Sequence, residues 1–386
     1  MVKQKLNINP KRILIKLGSA VVTKPPYGLD SEIIDSLADS ISRLVDEGKE
    51  VLIVSSGAVS AGMAELGVKV KPTSIPEKQV LAAIGQGKLI HAYSNAFGKN
   101  NKKVAQILLT RDDMEDRRRY INIRTALINL LHKKVIPIIN ENDTTTVDEL
   151  KFGDNDFLSS IIANKVGVDL FIILTNVKGV FSANPEKFKD AEFLKTIKEI
   201  TPEIIAMCQS GTSFAGTGGM ASKIIAANVS KLSGIPTIIA NGKNPDILND
   251  IFYGEFFGTL FLPEKDKLIS GRKKWIAFVK AGKNNKIVID QGAQKALLES
   301  GKSLLAVGIK EAIGDFHKGD AVNIVDTNDK IIAKGLTNYN IDDINKIKGL
   351  KSIDIQKILG YNDYDEVIHR DNMIIFEKDT DSLGIV

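Results

Sequence analysis

The feature that most constrains the fold is a short apolar run, rich in β-branched residues, that occurs six times before residue 243. Each run ends in Gly, Ser, Thr or Asn, and the six are RILIKLG, VLIVSSG, VAQILLT, VIPIIN, LFIILTN and TIIANG. Strands that are apolar throughout are buried on both faces, as in parallel sheets. Helical patterns separate the runs, at residues 31–47, 76–97, 116–131, 156–165 and 222–233. This alternation predicts an α/β domain around a mostly parallel sheet.

The pattern changes after about residue 262, where a polar and basic stretch, PEKDKLISGRKK, is typical of a linker. Beyond it the apolar pieces are short and separated by turn residues: WIAFV, KIVID, LLAVGI, DAVNIVD and IIAKGL. They predict a small β-rich barrel or sandwich. A length of 386 residues also favours two domains. We predict a catalytic domain over 1–263, a linker over 264–274, a second domain over 275–371 and a tail over 372–386.

Composition and charge exclude several classes of protein. A formal net charge of +5 permits anionic ligands without requiring nucleic acid. Cys208 is the only cysteine, which excludes an intrachain disulfide and a cysteine metal cluster. No apolar stretch is long enough to span a bilayer, and MVKQKLNINPKR lacks the apolar core of a signal peptide. We therefore expect a soluble protein of the cytoplasm.

The common nucleotide-binding motifs are absent: the chain has neither GxxxxGK[ST] nor a GxGxxG behind its first strand. Polar loops follow the separate strands instead. In IKLGSAVVT, Lys16 lies inside an apolar strand, where a charge is costly unless it is paired or faces a cleft. Backbone N–H groups near Gly18 could then meet phosphate oxygens. The alternative is an edge-strand lysine that points at water.

The loop VSSGAVSAGM, residues 54–63, collects small and hydroxylated residues. Small residues let the backbone approach a ligand, and hydroxyls can bind a carboxylate. A tight turn between a strand and a helix needs the same residues and is the more common explanation of such a run.

Acidic and amide residues crowd the stretch INENDTTTVDELKFGDNDFLSS. It contains Glu141, Asp143, Asp148, Glu149, Asp154, Asn155 and Asp156. One interpretation is helix capping, because Asp and Asn are good N-caps and negative charge is favoured in a first turn. The other is a polar site that holds an ammonium group or positions lysines. For Asp148 and Glu149 we favour a solvated loop.

The loop GTGGMASK, residues 216–223, is the strongest indication of an anion site. Three glycines precede a helix whose first turn contains Lys223. A glycine-rich backbone, a helix N-terminus and a lysine together attract an anion. A lysine in a first turn opposes the helix dipole, so its presence there needs a reason beyond a flexible loop.

Together these loops predict a phosphoryl transferase in which Lys16 and Lys223 converge on the phosphoryl group. Acid and hydroxyl groups would hold the acceptor, and the sequence offers no evident protein nucleophile. Direct in-line transfer, driven by positioning and charge stabilisation, is therefore favoured. A carboxylate acceptor needs no general base because it is already ionised at pH 7.

The loops, in this order, resemble the glutamate 5-kinases of the amino acid kinase family. The matching stretches include IKLGSAVVT, VSSGAVSAG, AAIGQGKL, QILLTRDDMEDRRRYINIRTAL, PIINENDT, FGDNDFLSS, LTNVKGVFSANP and GTGGMASK. Later stretches, such as FHKGDAVNIVD and HRDNMI, resemble the PUA domain that many members carry. The resemblance implies a three-layer α/β sandwich around a mostly parallel sheet, followed by a small β-rich PUA-like barrel.

The same resemblance implies roles for individual residues. Lys16 and Lys223 match the lysines that bind phosphate and stabilise the transition state, and Asp156 matches the carboxylate that holds them. The positions that match glutamate binding are Ser56, Asp143 and Asn155. The positions that match nucleotide binding are Lys16, Gly18, Thr175, Asn176, Thr217, Gly218, Gly219, Met220, Ala221, Ser222 and Lys223. Asn176 departs from the family, which commonly has an acid there, and this could weaken one nucleotide contact.

The resemblance further implies ATP with Mg²⁺, L-glutamate as the acceptor, and L-glutamyl 5-phosphate as the product of the first step of proline biosynthesis. It implies feedback inhibition by proline, a dimer or tetramer, and handover of a reactive product to glutamate-5-semialdehyde dehydrogenase. We assign no residue as a metal ligand.

Two alternatives stay open at this point. A sibling kinase could act on aspartate, N-acetylglutamate, carbamate or a nucleoside monophosphate. A free ammonium group would pair with Asp143 better than an acylated amine, which favours a free amino acid. An added RNA-binding role of the PUA-like domain is the second alternative, although that part of the chain has few aromatic residues and no long basic stripe.

Overall fold

A computed structural model of the chain describes residues 3–110, 113–114, 116–145, 155–183, 188, 190–199, 204, 219–263, 284–361 and 364–376. The chain divides into two compact units, residues 1–268 and residues 269–386. The predicted linker, 264–274, lies outside the described residues, so its bounds stay a prediction.

The first unit is built on an eight-stranded sheet with the strand order β3-β4-β2-β1-β5-β7-β8-β6. Its neighbouring strands pair in parallel except for β7 and β8, which are antiparallel. The strands are β1 (Arg12–Leu17), β2 (Glu50–Ser55), β3 (Lys103–Leu109), β4 (Val135–Glu141), β5 (Leu170–Thr175), β6 (Thr196–Ile197), β7 (Thr237–Asn241) and β8 (Gly258–Phe261). All six apolar runs are strands, which confirms the predicted parallel sheet.

Helices cover both faces of this sheet. They are α1 (Ser19–Val22), α2 (Ser31–Asp46), α3 (Ala58–Leu66), α4 (Ile75–Gly98), α5 (Arg117–His132), α6 (Asn155–Val166), α7 (Met220–Leu232) and α8 (Ile247–Tyr253). Two of them have an aspartate as N-cap. The side chains of Asp30 and Asp116 accept hydrogen bonds from backbone N–H groups in the first turns of α2 and α5. The five predicted helices are present, and their ends agree with the prediction to within two residues.

The central strand β1 shows how the sheet separates two cores. Ile13, Ile15 and Leu17 belong to the core that contains residues of α2 and α4, whereas Leu14 belongs to the core that contains residues of α5, α6 and α7. Successive side chains of a strand point to opposite faces. Lys16 therefore lies on the same face as Leu14, toward α6 and α7.

The five predicted helices do not include α3, which follows the turn after β2. It packs against α4 with its backbone in direct contact: a Cβ added at Gly62 would lie 2.0 Å from the carbonyl oxygen of Leu81, and one at Gly85 would lie 1.7 Å from that of Ala58. The small residues of VSSGAVSAGM therefore serve helix packing as well as the loop itself.

The second unit contains a five-stranded sheet with the order β10-β9-β11-β12-β13. Its strands are β9 (Lys286–Ile289), β10 (Ile309–Ile313), β11 (Ala321–Val325), β12 (Ile331–Leu336) and β13 (Met373–Ile375), and its helices are α9 (Gln291–Ser300), α10 (Ile341–Ile347) and α11 (Ile355–Leu359). WIAFV lies outside the described residues.

One predicted piece of this unit, LLAVGI, is not a strand over its length. Leu304 forms an isolated bridge with Ile368, a short 3-10 helix follows at Ala306–Gly308, and β10 begins only at Ile309. A Cβ added at Gly308 would lie 2.5 Å from that of Ala293 in α9. Close packing against this helix therefore accompanies the break, which local composition does not reveal.

Across the described part of the chain, no helix has both the length and the apolar character needed to cross a membrane.

Candidate active site

Polar residues collect at the carboxyl ends of β1, β2, β4 and β5, which meet at one edge of the sheet because the strands are parallel. Backbone hydrogen bonds between neighbouring strands continue just beyond the strand ends. The N–H of Gly18 donates to the carbonyl oxygen of Leu174 over 3.0 Å, and that of Ser56 donates to the carbonyl oxygen of Leu17 over 3.1 Å. These bonds fix the first two polar loops side by side. Such an edge is where open α/β sheets bind ligands.

Two buried lysines share one buried carboxylate at this edge. Lys16 Nζ lies 2.5 Å from Asp156 Oδ1, and Lys223 Nζ lies 3.0 Å from Asp156 Oδ2. The side chains of Lys16 and Lys223 are 2% and 7% exposed, and that of Asp156 is fully buried. The three groups come from β1, α6 and α7, so elements far apart in sequence bring them together.

The hydroxyl of Ser222 completes the setting of Asp156. Its Oγ lies 2.8 Å from Asp156 Oδ2 and also 2.8 Å from the carbonyl oxygen of Gly219, the residue just before α7. Lys223 Nζ is 3.5 Å from the same carbonyl oxygen. The first turn of α7 is thereby tied to the first turn of α6.

Two ammonium groups and one carboxylate lie together in a buried place at the edge of the sheet. Taking charges out of water is costly, so buried charges are found paired and hydrogen-bonded. Lysines held in this way at the carboxyl ends of parallel strands are suited to an anionic ligand. Lys223, although it lies in the first turn of α7, therefore has a carboxylate partner in Asp156.

A second cluster surrounds the side chain of Asn155, the residue just before Asp156. Asn155 Nδ2 lies 2.9 Å from Ser56 Oγ, 2.8 Å from Asn140 Oδ1 and 3.3 Å from the carbonyl oxygen of Ser55. These acceptors orient the amide so that its oxygen points away from them. Among the described residues nothing donates to this buried oxygen. A buried acceptor of this kind is suited to a donor on a ligand.

The two clusters are joined because Asn155 and Asp156 are consecutive. Both lie in the first turn of α6, and both are buried at the edge of the sheet. Asp156 contacts lysines from two other elements, so its role extends beyond helix capping. One turn of helix therefore carries the lysine-holding carboxylate and the amide that contacts Ser56.

The amino acid kinase family model matches residues 11–241, and the PUA domain model matches residues 285–359. A glutamate 5-kinase of Thermoanaerobacter sp. is 48% identical over 367 residues, which cover 95% of this chain and 98% of that protein. The glutamate 5-kinase of Syntrophus aciditrophicus is 48% identical over 96% of this chain and 95% of its own, and that of Geobacter sulfurreducens is 46% identical over 95% and 97%.

The chain belongs to the glutamate 5-kinases of the amino acid kinase family. The kinase fold occupies the first unit, and the PUA match lies within the second. The predicted family and fold class are therefore confirmed.

The other predicted site residues of the kinase lie along the same edge, apart from two. Thr175 ends β5 and is buried, Asn176 follows it and is exposed, and Thr175 Oγ1 lies 3.3 Å from Asn176 Oδ1. Met220 and Ala221 open α7. Asp143 lies two residues beyond the end of β4. Thr217 and Gly218 lie outside the described residues, as do Asp148, Glu149 and Asp154.

Sequence reasoning missed Asn140 and Ser55 as members of the second cluster. Each is the polar residue at or near the end of an apolar run, and that position was the available indication. Asn140 Oδ1 also accepts from the backbone N–H of Glu141 over 2.9 Å, which fixes its orientation. Ser222, a predicted nucleotide-binding residue, has its hydroxyl 2.8 Å from Asp156 Oδ2.

The loop after β3 carries a carboxylate that is held ionised. Burial raises the pKa of Asp113, but hydrogen bonds from the side chain and backbone of Thr110 and an ion pair with Arg119 outweigh it and hold the pKa below its usual range. The backbone N–H of Asn142 donates to Leu109 at the end of β3. The loops after β3 and β4 are therefore neighbours.

Proposed function

We propose that this protein transfers the γ-phosphoryl group of ATP to the side-chain carboxylate of L-glutamate, which yields L-glutamyl 5-phosphate and ADP. The observation that carries the proposal is the buried pair Lys16 and Lys223 on Asp156. The names of the relatives, which span nearly all of the chain, support glutamate as the acceptor. In a proline-synthesising cell this reaction would be the first step of the pathway.

The transfer is direct and in line. An oxygen of the glutamate carboxylate forms a bond to the γ-phosphorus while the bond from phosphorus to the bridging oxygen of ADP breaks. The two lysines stabilise charge on the transferring oxygens, and Asp156 keeps the ammonium groups in place. Asp156 is not needed as a base, since the acceptor carboxylate is ionised at pH 7.

The second cluster binds the acceptor. Ser56 and Asn155 are linked over 2.9 Å and form one rigid contact surface. The buried amide oxygen of Asn155 suits the α-ammonium group of an amino acid, and the carboxylate of Asp143 would neutralise the charge of that group. An acylated amine carries no charge that could pair with Asp143, which favours glutamate over N-acetylglutamate.

The nucleotide lies against the loop after β1 and the start of α7. Gly18 offers a backbone without a side chain: a Cβ there would lie 3.3 Å from the carbonyl oxygen of Leu174. Thr175 and Asn176, Gly219 to Lys223, and the predicted Thr217 and Gly218 make up the rest of the nucleotide site.

Magnesium would accompany ATP, with phosphate oxygens as its main ligands. The described residues contain no group of three or more His, Cys, Asp or Glu side chains that could hold a metal ion. Asp156, the buried carboxylate closest to the phosphoryl position, already contacts two ammonium groups. The ion would neutralise part of the phosphate charge. Lys16 and Lys223 would stabilise the charge that is left on the transferring oxygens.

The test of the function is an assay with Mg-ATP and hydroxylamine, which converts an acyl phosphate into a stable hydroxamate. L-glutamate, L-aspartate and N-acetylglutamate serve as acceptors in parallel. We expect hydroxamate from glutamate and little from the other two. Hydroxamate from another acid would retain the reaction and change the substrate, and none from any acid would contradict the proposed function.

Replacing Asp143 with asparagine is expected to raise the KM for glutamate by about 10- to 100-fold, because a charged hydrogen bond to the α-ammonium group is lost. The KM for ATP should stay within about twofold of the wild type. Initial rates at varied glutamate and at varied ATP separate the two. An unchanged KM for glutamate would remove Asp143 from the acceptor site.

Further parts of the proposal come from the family resemblance alone: inhibition by proline, a dimer or tetramer, a cytoplasmic location and handover to glutamate-5-semialdehyde dehydrogenase. Proline titration of the hydroxamate assay and light scattering test the first two. A coupled assay with the dehydrogenase tests the handover: flux no faster than free diffusion predicts would argue against it. RNA binding by the second unit stays a prediction, tested by a gel shift with structured RNA at low salt.

A further inference from the structure

Tyr93 is a buried tyrosine of α4 whose hydroxyl reaches the end of a strand. The residue is 1% exposed and belongs to the core that also contains residues of β1 and α2. Its ring stacks on Phe97 with centroids 6.4 Å apart. Its hydroxyl lies 2.8 Å from the Oγ of Ser55, the last residue of β2. A hydroxyl in such a core is costly unless it is hydrogen-bonded.

The direction of this hydrogen bond follows from counting protons. Ser55 Oγ donates its single proton to the carbonyl oxygen of Ser56 over 2.9 Å. The proton between Ser55 and Tyr93 therefore belongs to the phenol. Burial raises the pKa of Tyr93, so the phenol keeps its proton and can donate it to Ser55. The chain of bonds runs from Tyr93 through Ser55 to Ser56.

The last of these hydrogen bonds, from Ser55 Oγ to the carbonyl oxygen of Ser56, fixes the plane of the peptide between Ser56 and Gly57. In a trans peptide the C=O and N–H groups point in opposite directions. Because the carbonyl oxygen of Ser56 is held toward Ser55, the N–H of Gly57 is turned away from it. Gly57 has a φ of +110°, a value that L side chains rarely adopt, and it lies just before α3. The plane of this peptide is a specific and constrained feature of the turn.

Ser56 is thus held at each of its polar groups. Its N–H donates to Leu17 over 3.1 Å, its Oγ accepts from Asn155 over 2.9 Å, and its carbonyl oxygen accepts from Ser55. The third contact depends on Tyr93, which fixes the rotamer of Ser55. Helix α4 is itself fixed against α3 at Gly85, where a Cβ would lie 1.7 Å from Ala58.

We propose that Tyr93 is a positioning residue for the acceptor site, which acts through Ser55 to hold the Ser56–Gly57 peptide in the orientation that binds glutamate. The inference rests on the proposed function, since it takes Ser56 as a residue of the acceptor site. It assigns a role to a hydroxyl that lies outside the two polar clusters.

The test is a double-mutant cycle with Tyr93→Phe, Ser55→Ala and the double variant. Tyr93→Phe keeps the ring and its packing and removes only the oxygen. The matched control is Tyr253→Phe, which removes a phenol bonded to Glu47 over 2.6 Å on the exposed surface of the same unit. For each protein we measure kcat, the KM for glutamate, the KM for ATP and the thermal midpoint.

We expect Tyr93→Phe to raise the KM for glutamate by about tenfold while the KM for ATP and kcat stay within about twofold. Ser55→Ala should act in the same direction. The double variant should be no worse than the more severe single variant, because both changes break one chain of bonds. The control should match the wild type in all three kinetic constants.

An unchanged KM for glutamate in Tyr93→Phe would overturn the proposal. So would a fall in kcat with both KM values unchanged, since a loss of folded enzyme has that signature, and so would additive effects in the double variant. If the wild type phosphorylates another carboxylic acid instead of glutamate, the proposed function fails separately. The cycle is then measured with that acid, and the same selective rise in its KM is required.

Discussion

Replacing Asp156 with asparagine is expected to lower kcat by about a thousandfold and to reduce the free energy of unfolding by about 3 kcal/mol. Asparagine keeps the size of the side chain and removes the charge. Lys16 and Lys223 would then face each other in a buried place without the carboxylate that holds both, 2.5 Å and 3.0 Å away. Both lysines would lose their fixed positions, and the transition state would lose charge stabilisation from two donors at once.

A surface pair provides the control for this prediction. Asp46 lies 2.5 Å from Lys102, as close as Asp156 lies to Lys16, but its side chain is 68% exposed. Asp46→Asn should change stability by less than about 1 kcal/mol and leave kcat unaltered, because water screens exposed ion pairs. Chemical denaturation and initial rates measure both variants. A kcat for Asp156→Asn within tenfold of the wild type would contradict the role of the carboxylate.

Replacing Gly85 with alanine is expected to reduce the free energy of unfolding by about 3 kcal/mol, whereas Gly87→Ala should raise it by about 0.5–1 kcal/mol. Both glycines lie in α4, two residues apart. At Gly85 the added Cβ would lie 1.7 Å from the carbonyl oxygen of Ala58 and 2.7 Å from the backbone nitrogen of Gly62, and backbone atoms cannot swing aside. At Gly87 nothing lies within 4 Å, so alanine gains its better helix propensity without a clash.

The same substitution should also impair the acceptor site. Ala58 is the first residue of α3 and follows the Ser56–Gly57 turn directly. If Gly85→Ala folds, α3 must move away from α4, and Ser56 must move with it. Thermal denaturation and the KM for glutamate measure the two effects. Equal stability for Gly85→Ala and Gly87→Ala would show that the two helices are not in backbone contact.

The sequence alone predicts the part of the fold that follows local pattern. Six apolar runs become strands, and because the carboxyl ends of parallel strands meet at one edge, the loops after Lys16 and at Asp156 could be placed in one site. The glycines before Lys223 indicated that the loop before α7 is the third part of this site. What the sequence does not reveal is strand order: nothing local in LFIILTN states that it pairs with β1 on the side away from β2.

Contacts across elements account for the remaining differences. Tyr93 in a helical pattern resembles any core aromatic, and its bond to Ser55 exists only because α4 crosses the end of β2. Helix α3 was not predicted, because the small residues of VSSGAVSAGM are typical of a loop. Asn140 is recognisable only after the fold places it 2.8 Å from Asn155. In the second unit, LLAVGI has the composition of a strand but breaks where Gly308 packs against α9.

The central claim is that a carboxylate oxygen of the acceptor forms the new bond to phosphorus at the cluster of Lys16, Asp156 and Lys223. The most direct measurement uses L-glutamate labelled with oxygen-18 in its side-chain carboxylate, unlabelled Mg-ATP, and hydroxylamine to cleave the product at its acyl carbon. Mass spectrometry then reads the released phosphate. We predict that each phosphate carries one oxygen-18, the atom that formed the new bond to phosphorus. Phosphate free of oxygen-18 would show that glutamate is not the nucleophile and would contradict the account.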